Sequence, residues 1–151
     1  MKKLIVARHG SYGEDMRISS AGREQMVKLA ETLKKHIDGC KVVMLSSSAP
    51  RAADSAEVLA GLINVPFKEY EVLWSDNRHR RNDQAVLDLI ESKKGDADVV
   101  IIVTHIEYTD SFPSFYARKV LNAQIFSYGI GKGEAQILDC GQKTIQIVRR
   151  D

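Results

Sequence analysis

Short unbroken apolar runs alternate along this chain with longer stretches in which apolar residues recur every three or four positions. This is the pattern of buried strands separated by amphipathic helices. Residues 4–7 form the first run, closed by a polar break, as expected of a strand covered on both faces. Ser19 and Ser20 can cap a helix in which Met26, Ala30, Leu33 and Ile37 share one face while Lys28, Glu31, Lys34 and Lys35 take the wet side, and Gly39 stops it. Residues 42–45 read as a second strand, and Pro50, tolerated in a first turn, opens a helix carrying Ala53, Ala56, Leu59, Ala60 and Ile63. A third strand is predicted over residues 65–72. A polar turn over 77–82 leads to a helix with Val86, Leu89 and Ile90, ended by Gly95. Residues 99–104 are the most apolar strand, residues 108–121 a further helix with Pro113 near its start, and segments 135–138 and 144–148 a hairpin.

Alternating strands and helices predict an α/β fold, a three-layer α/β/α sandwich with a mostly parallel central sheet. The 151 residues, 44% hydrophobic and 28% charged, suit a single domain spanning 1–151. A net charge of +2 with interspersed signs gives no ground for nucleic acid or a membrane as partner. Cys40 and Cys140 are far apart, without the spacing of a zinc site, and no apolar run is long enough for a signal-peptide core or a membrane span. A cytoplasmic protein without metal or cofactor is the expectation; the oligomeric state is left open.

Ligands of parallel α/β sheets bind outside the carboxyl ends of the strands. Arg8-His9-Gly10 follows the first strand, Thr104-His105 follows the apolar one, and residues 46–51, ending in Arg51, run from the second strand into a helix N-terminus, where anions are favoured. Taken singly, Arg51 reads as a surface helix residue and His105 as a hydrogen-bonded structural histidine. Jointly, two arginines and two histidines at one sheet edge have the composition of a phosphoryl site, because guanidinium forks match its oxygens and imidazole can be nucleophile or proton carrier. Ser11, just beyond, is a further candidate for binding substrate. Arg78-His79-Arg80-Arg81 reads as a solvated loop, and Gly129, Gly131 and Gly133 with Lys132 as a turn before the hairpin, since the Walker pattern is absent.

These segments resemble the histidine phosphatase superfamily, which is phosphoglycerate mutase-like. The resemblance rests on Arg8-His9-Gly10, on residues 19–25 (similar to an LTxxGxxQ helix start), on residues 47–56 (similar to SSxxxRAxxTA) and on Val103-Thr104-His105. It spans essentially the whole chain, and the short length is most similar to SixA-type phosphohistidine phosphatases. It implies a metal-independent phosphatase in which His9 attacks phosphorus, Arg8, Arg51 and His105 hold the oxygens, and water then takes the phosphoryl group. The substrate so implied is phosphohistidine or another phosphoprotein.

The general acid departs from the family pattern. Where many members carry LxE, this chain reads Leu73-Trp74-Ser75-Asp76, so Asp76 stands one position late; Glu107, two residues after His105, is a second candidate and Glu14 a weaker third. A phosphoramidate nitrogen is easily protonated, so phosphohistidine needs a dedicated acid less than an alkyl ester does. A small-molecule phosphomonoesterase, which would need such an acid, is the alternative. A mutase lacks an insertion to exclude water, and a noncatalytic phosphate-binding module leaves the intact Arg8, His9, Arg51 and His105 set unexplained.

Overall fold

The computed structural model describes residues 1–150. Its six strands are β1 (Lys3–Arg8), β2 (Val42–Ser47), β3 (Phe67–Tyr70), β4 (Val99–Thr104), β5 (Ala135–Asp139) and β6 (Thr144–Val148). The helices are α1 (Ser20–Ile37), α2 (Pro50–Ile63), α3 (Asp83–Lys93), α4 (Ile106–Thr109) and α5 (Phe112–Val120). One sheet holds all the strands in the order β3-β2-β4-β1-β5-β6; the first four in that order run parallel, and β5 and β6 add an antiparallel hairpin. This is the mostly parallel sheet of the sequence reading.

Alternation along the central strands sorts their side chains into two cores. Ile5, Ala7, Ile101 and Val103 face Met26, Leu33, Ala56 and Leu59 of α1 and α2, while Leu4, Val6, Val100 and Ile102 face Val86, Ile90, Phe112 and Tyr116 of α3 and α5. Residues covered on both faces need no polar alternation, which is why β1 and β4 read as unbroken apolar runs. The α1 start is set by Ser19, whose hydroxyl accepts the Gly22 N–H at 3.1 Å, and Pro50 occupies the first turn of α2.

Two boundaries differ from expectation. The third strand is shorter: Pro66 brings no N–H to the ladder, pairing starts at Phe67, and residues Glu71–Leu73 coil into a 3₁₀ turn that buries Leu73. The helix expected over 108–121 is two helices, α4 and α5. Pro113 cannot donate to the Thr109 carbonyl four residues back and its ring would clash there, so the first helix ends and that carbonyl accepts the Gln136 amide at 2.6 Å instead.

Candidate active site

Arg8 and Thr104 are register partners at the ends of adjacent central strands, and the His9 N–H continues the ladder to the Thr104 carbonyl at 3.2 Å. The chain therefore delivers His9 and His105 side by side, ring centroids 5.2 Å apart and planes at 63°. Both are buried, at 4% and 2% exposure. The path after His9 is fixed by close packing on α1. A Cβ on Gly10 would lie 2.6 Å from the Gly22 carbonyl oxygen, and one on Gly22 would lie 2.0 Å from the Ser11 carbonyl oxygen. Gln25 clamps the same loop, accepting the Ser11 N–H and donating to its hydroxyl, both at 2.9 Å. That engagement turns the Ser11 side chain to α1 rather than into the cavity between His9 and His105.

The helix α2 contributes from the other side. Ser55 accepts the Gly10 N–H and donates to the Arg51 carbonyl, so the first turn of α2 is tied to the backbone beside His9. Arg51, 6% exposed, reaches the His105 Nδ1 atom with Nη2 at 3.3 Å, while the His105 Nε2 atom lies 2.8 Å from the Ser47 hydroxyl. A guanidinium cannot accept, so Nδ1 carries the lone pair and Nε2–H donates to Ser47. For His9 the assignment is direct: Nδ1 lies 2.9 Å from the Gly10 carbonyl, which can only accept, leaving the Nε2 lone pair free.

Both imidazoles are held neutral. Burial, the largest cause, with the charges of Arg51, Arg8 and Lys132, lowers His9 to about 4 against the opposing Gly10 hydrogen bond. Burial, His9 and Arg51 lower His105 to about 3. Arg8 donates through Nη1 to the Ile130 carbonyl at 3.1 Å, yet the buried Nε atoms of Arg8 and Arg51 have no acceptor among the described residues. Buried donors are normally satisfied, and both of these belong to residues that line one cavity, so its wall carries two guanidinium charges with unused donor capacity. The cavity holds about 210 Å³ and is lined by both histidines, both arginines, Tyr12, residues 75–77 of the β3–α3 connection, and Ile106 and Glu107 of α4. A larger depression of about 490 Å³ lies between α1 and the C-terminal residues and contains neither histidine nor either of these arginines.

The candidate acids differ sharply in their surroundings. Asp76 lines the cavity, but its carboxylate accepts from the Trp74 indole, the Arg78 and His79 backbone N–H groups and the His79 ring. Desolvation pushes its carboxyl up, and these hydrogen bonds outweigh that effect and hold it well below the ordinary carboxylate range. It is a loop anchor that stays ionised, unsuited to giving up a proton. Glu107 lines the same cavity, with Oε2 accepting the Ser75 hydroxyl at 3.0 Å. Glu14 is exposed and is not among the cavity's lining residues. In the Arg78–Arg81 run, His79 stacks on Trp74 at 3.9 Å, and Arg81 pairs with Asp83 and donates to the Glu107 carbonyl.

Neither a protein-family model nor a curated protein sequence matches the chain. Solved structures do. Coverage is 96% of this chain and 93% of the protein histidine phosphatase SixA complexed with tungstate, at a TM-score of 0.69 and 14% identity. A mycobacterial glucosyl-3-phosphoglycerate phosphatase is covered over 99% of both chains at 0.63 and 17%, and YhfR of Bacillus stearothermophilus over 100% of this chain and 98% of its own at 0.63 and 17%. This chain has the histidine phosphatase fold. The identities are too low to carry more than the fold.

On that histidine phosphatase fold, sequence reading named the four converging cationic and imidazole residues and missed two others. Tyr12 stands at the cavity mouth, its ring edge-on to His9 at 5.4 Å. Lys132, within the segment read as a turn, brings its ammonium to 4.9 Å from the Tyr12 ring centroid. No local signal marks either, since their placement depends on strand pairing and on contacts distant in sequence. No helix among the described residues is long and apolar enough to cross a membrane, and none of their His, Cys, Asp and Glu side chains gather in threes around a metal-sized space.

Proposed function

We propose that this protein is a phosphatase that takes a phosphoryl group from phosphohistidine or another phosphoprotein onto Nε2 of His9 and then passes it to water. The observation that carries the reading is the free Nε2 lone pair of a His9 whose other nitrogen is held by the Gly10 carbonyl, beside two buried guanidinium donors without protein acceptors. His9 attacks phosphorus; the bond to the leaving nitrogen or oxygen breaks with its electron pair, and that atom takes a proton. Arg8 and Arg51 neutralise the nonbridging oxygens as charge spreads over them, without rearranging. Water then attacks phosphorus, giving its proton to solvent, and the phosphorus–nitrogen electron pair returns to His9. Because these charges are guanidinium groups, the scheme needs no metal.

The cavity volume supports a protein substrate. At about 210 Å³ it is below the roughly 300 Å³ from which small-molecule sites usually start, so it suits a phosphoryl group with the remainder of the substrate outside. A neutral His105 is a poor proton donor at working pH, which favours a leaving group that solvent can protonate, as a phosphoramidate nitrogen is. The test is trapping: labelled phosphohistidine protein should leave an acid-labile, base-stable phosphoryl group on the protein, and His9→Ala should abolish both the label and turnover. Equal turnover by His9→Ala would rule out the nucleophile.

A further inference from the structure

A third cation stands next to the two arginines of the cavity, across the Tyr12 ring. Tyr12 is 36% exposed at the mouth, with the Arg51 guanidinium 5.1 Å and the Lys132 ammonium 4.9 Å from its ring centroid. Both sides of this contact are anchored. Tyr12 bridges Ile18, whose N–H donates to Asp54 of α2, and Arg17 pairs with the same carboxylate at 2.5 Å. The Lys132 turn is joined to the strand end: the Gly133 N–H is shared by the Arg8 and His9 carbonyls, at 3.2 and 3.0 Å, and the buried Glu134 carboxylate accepts the Gly131 and Arg150 N–H groups. Gly133 has φ +73°, and a Cβ there would come 2.6 Å from Cβ of Gln25, so the turn is pressed onto α1.

Among the described residues no carboxylate lies within ion-pair distance of the Lys132 ammonium. A lysine usually reaches into solvent or towards an acidic neighbour; here a half-buried one lies against the ring of Tyr12, itself a lining residue of the cavity, and is carried by a turn bonded to the strand end. The phosphoryl oxygens already have Arg8 and Arg51, so a third cation on the Tyr12 side is placed for charge elsewhere on the substrate.

We infer that Lys132 and Tyr12 form a subsite for a second anionic group of the phosphorylated substrate, a carboxylate. The inference rests on the phosphatase reading for the position of the phosphoryl group. In a phosphoprotein the carboxylate is an acidic side chain beside the phosphorylated residue; in a small substrate it belongs to the same molecule. Tyr12 supplies the apolar floor that keeps the ammonium partly desolvated, and so raises the worth of the pair above that of a fully exposed one.

Equilibrium binding of two inert phosphonates tests this without turnover. The wild-type protein should bind 3-phosphonopropionate about tenfold more tightly than propylphosphonate, the order expected of a charge-assisted contact at a half-exposed site. Lys132→Met, which keeps the stem over Tyr12, should abolish that preference while weakening propylphosphonate no more than about threefold, and Lys132→Arg should retain it. Absence of the preference in the wild type, or equal weakening of both ligands by Lys132→Met, overturns the subsite; the second result would make Lys132 a ligand of the phosphoryl group. A protein that shows the preference yet never forms phosphorylated His9 keeps the subsite and loses the phosphatase reading. Comparing kcat/KM for phosphopeptides with Glu or Gln beside the phosphorylated residue, and for 3-phosphoglycerate against glycerol 3-phosphate, separates the two sources of the carboxylate. A Lys132-dependent preference in the peptide pair assigns it to an acidic side chain, and one confined to the small pair to the substrate molecule itself.

Discussion

Keeping two adjacent histidines neutral inside the site has a consequence for stability. An unfolded histidine titrates near 6.5, whereas His9 and His105 are lowered by burial and neighbouring positive charge to about 4 and about 3. The unfolded chain therefore binds more protons than the folded one below pH 6.5, so stability is full above that pH and falls as the pH drops towards the folded values. At pH 5 both folded imidazoles are still neutral while nearly all the unfolded ones are charged. Each histidine then costs about 2 kcal/mol relative to pH 7, a loss fixed by the unfolded pKa rather than by how low the folded one lies. Together they remove about 4 kcal/mol, a large part of an ordinary domain's stability. His36, lowered by burial and by Lys3 and Lys35, adds in the same direction. Asp76, Glu91 and Glu134 are held below their ordinary values and contribute losses only nearer pH 4. Urea unfolding followed by far-UV circular dichroism at pH 7, 6 and 5, at constant ionic strength, should show this decline, and His9→Gln should reduce it by about 2 kcal/mol. Unchanged stability between pH 7 and 5, or an undiminished decline in His9→Gln, would refute the reasoning.

Gly22→Ala should cost more than about 3 kcal/mol by thermal unfolding, because its Cβ would lie 2.0 Å from the Ser11 carbonyl oxygen, whereas Gly61→Ala, exposed in α2 with nothing within 4 Å, should be neutral or stabilising by up to about 1 kcal/mol. Glu107→Gln should barely change turnover of phosphohistidine but lower that of any alkyl phosphate the enzyme accepts by about two to four orders of magnitude. Asp76→Asn should act on folding, not on proton transfer, lowering stability by about 1–3 kcal/mol through the loss of an ionised acceptor for Trp74, Arg78 and His79.

The layers were legible in the sequence because β1 and β4 are covered on both faces and show it as unbroken apolar runs, and because α1 carries its capping serine, its apolar stripe and its stopping glycine in order. Edge structure was less so. Around β3, Val65 and Val72 have the composition of strand residues, but strand length at an edge is decided by which backbone groups find a partner, and Pro66 offers no N–H. The split between α4 and α5 follows from the same accounting. Pro113 reads correctly as a proline in a first turn, yet the helix it opens is α5; the turn before it is a separate helix whose freed Thr109 carbonyl is satisfied from β5.

Within the site, the legible residues are those delivered by strand ends, since a strand's end point fixes where its next side chain lies. His9 and His105 are of this kind, whereas Arg51 comes from the first turn of α2, whose start Pro50 marks in the sequence. Lys132 was read as part of a turn, and it is one; what the sequence did not contain was the destination of that turn, set by Gly133 donating to the carbonyls of Arg8 and His9 at the far end of the chain. The two carboxylates show the same limit in chemical form. Asp76 and Glu107 are alike as acids in solution and both border the cavity, but four N–H groups converge on Asp76 while Glu107 receives one hydroxyl. Donors aimed at a carboxylate stabilise its ionised form and lower its tendency to hold a proton. The residue closer to the family pattern is thereby made a structural anion, and Glu107, with a single hydroxyl donor, is the carboxylate of the two whose replacement separates the leaving-group classes.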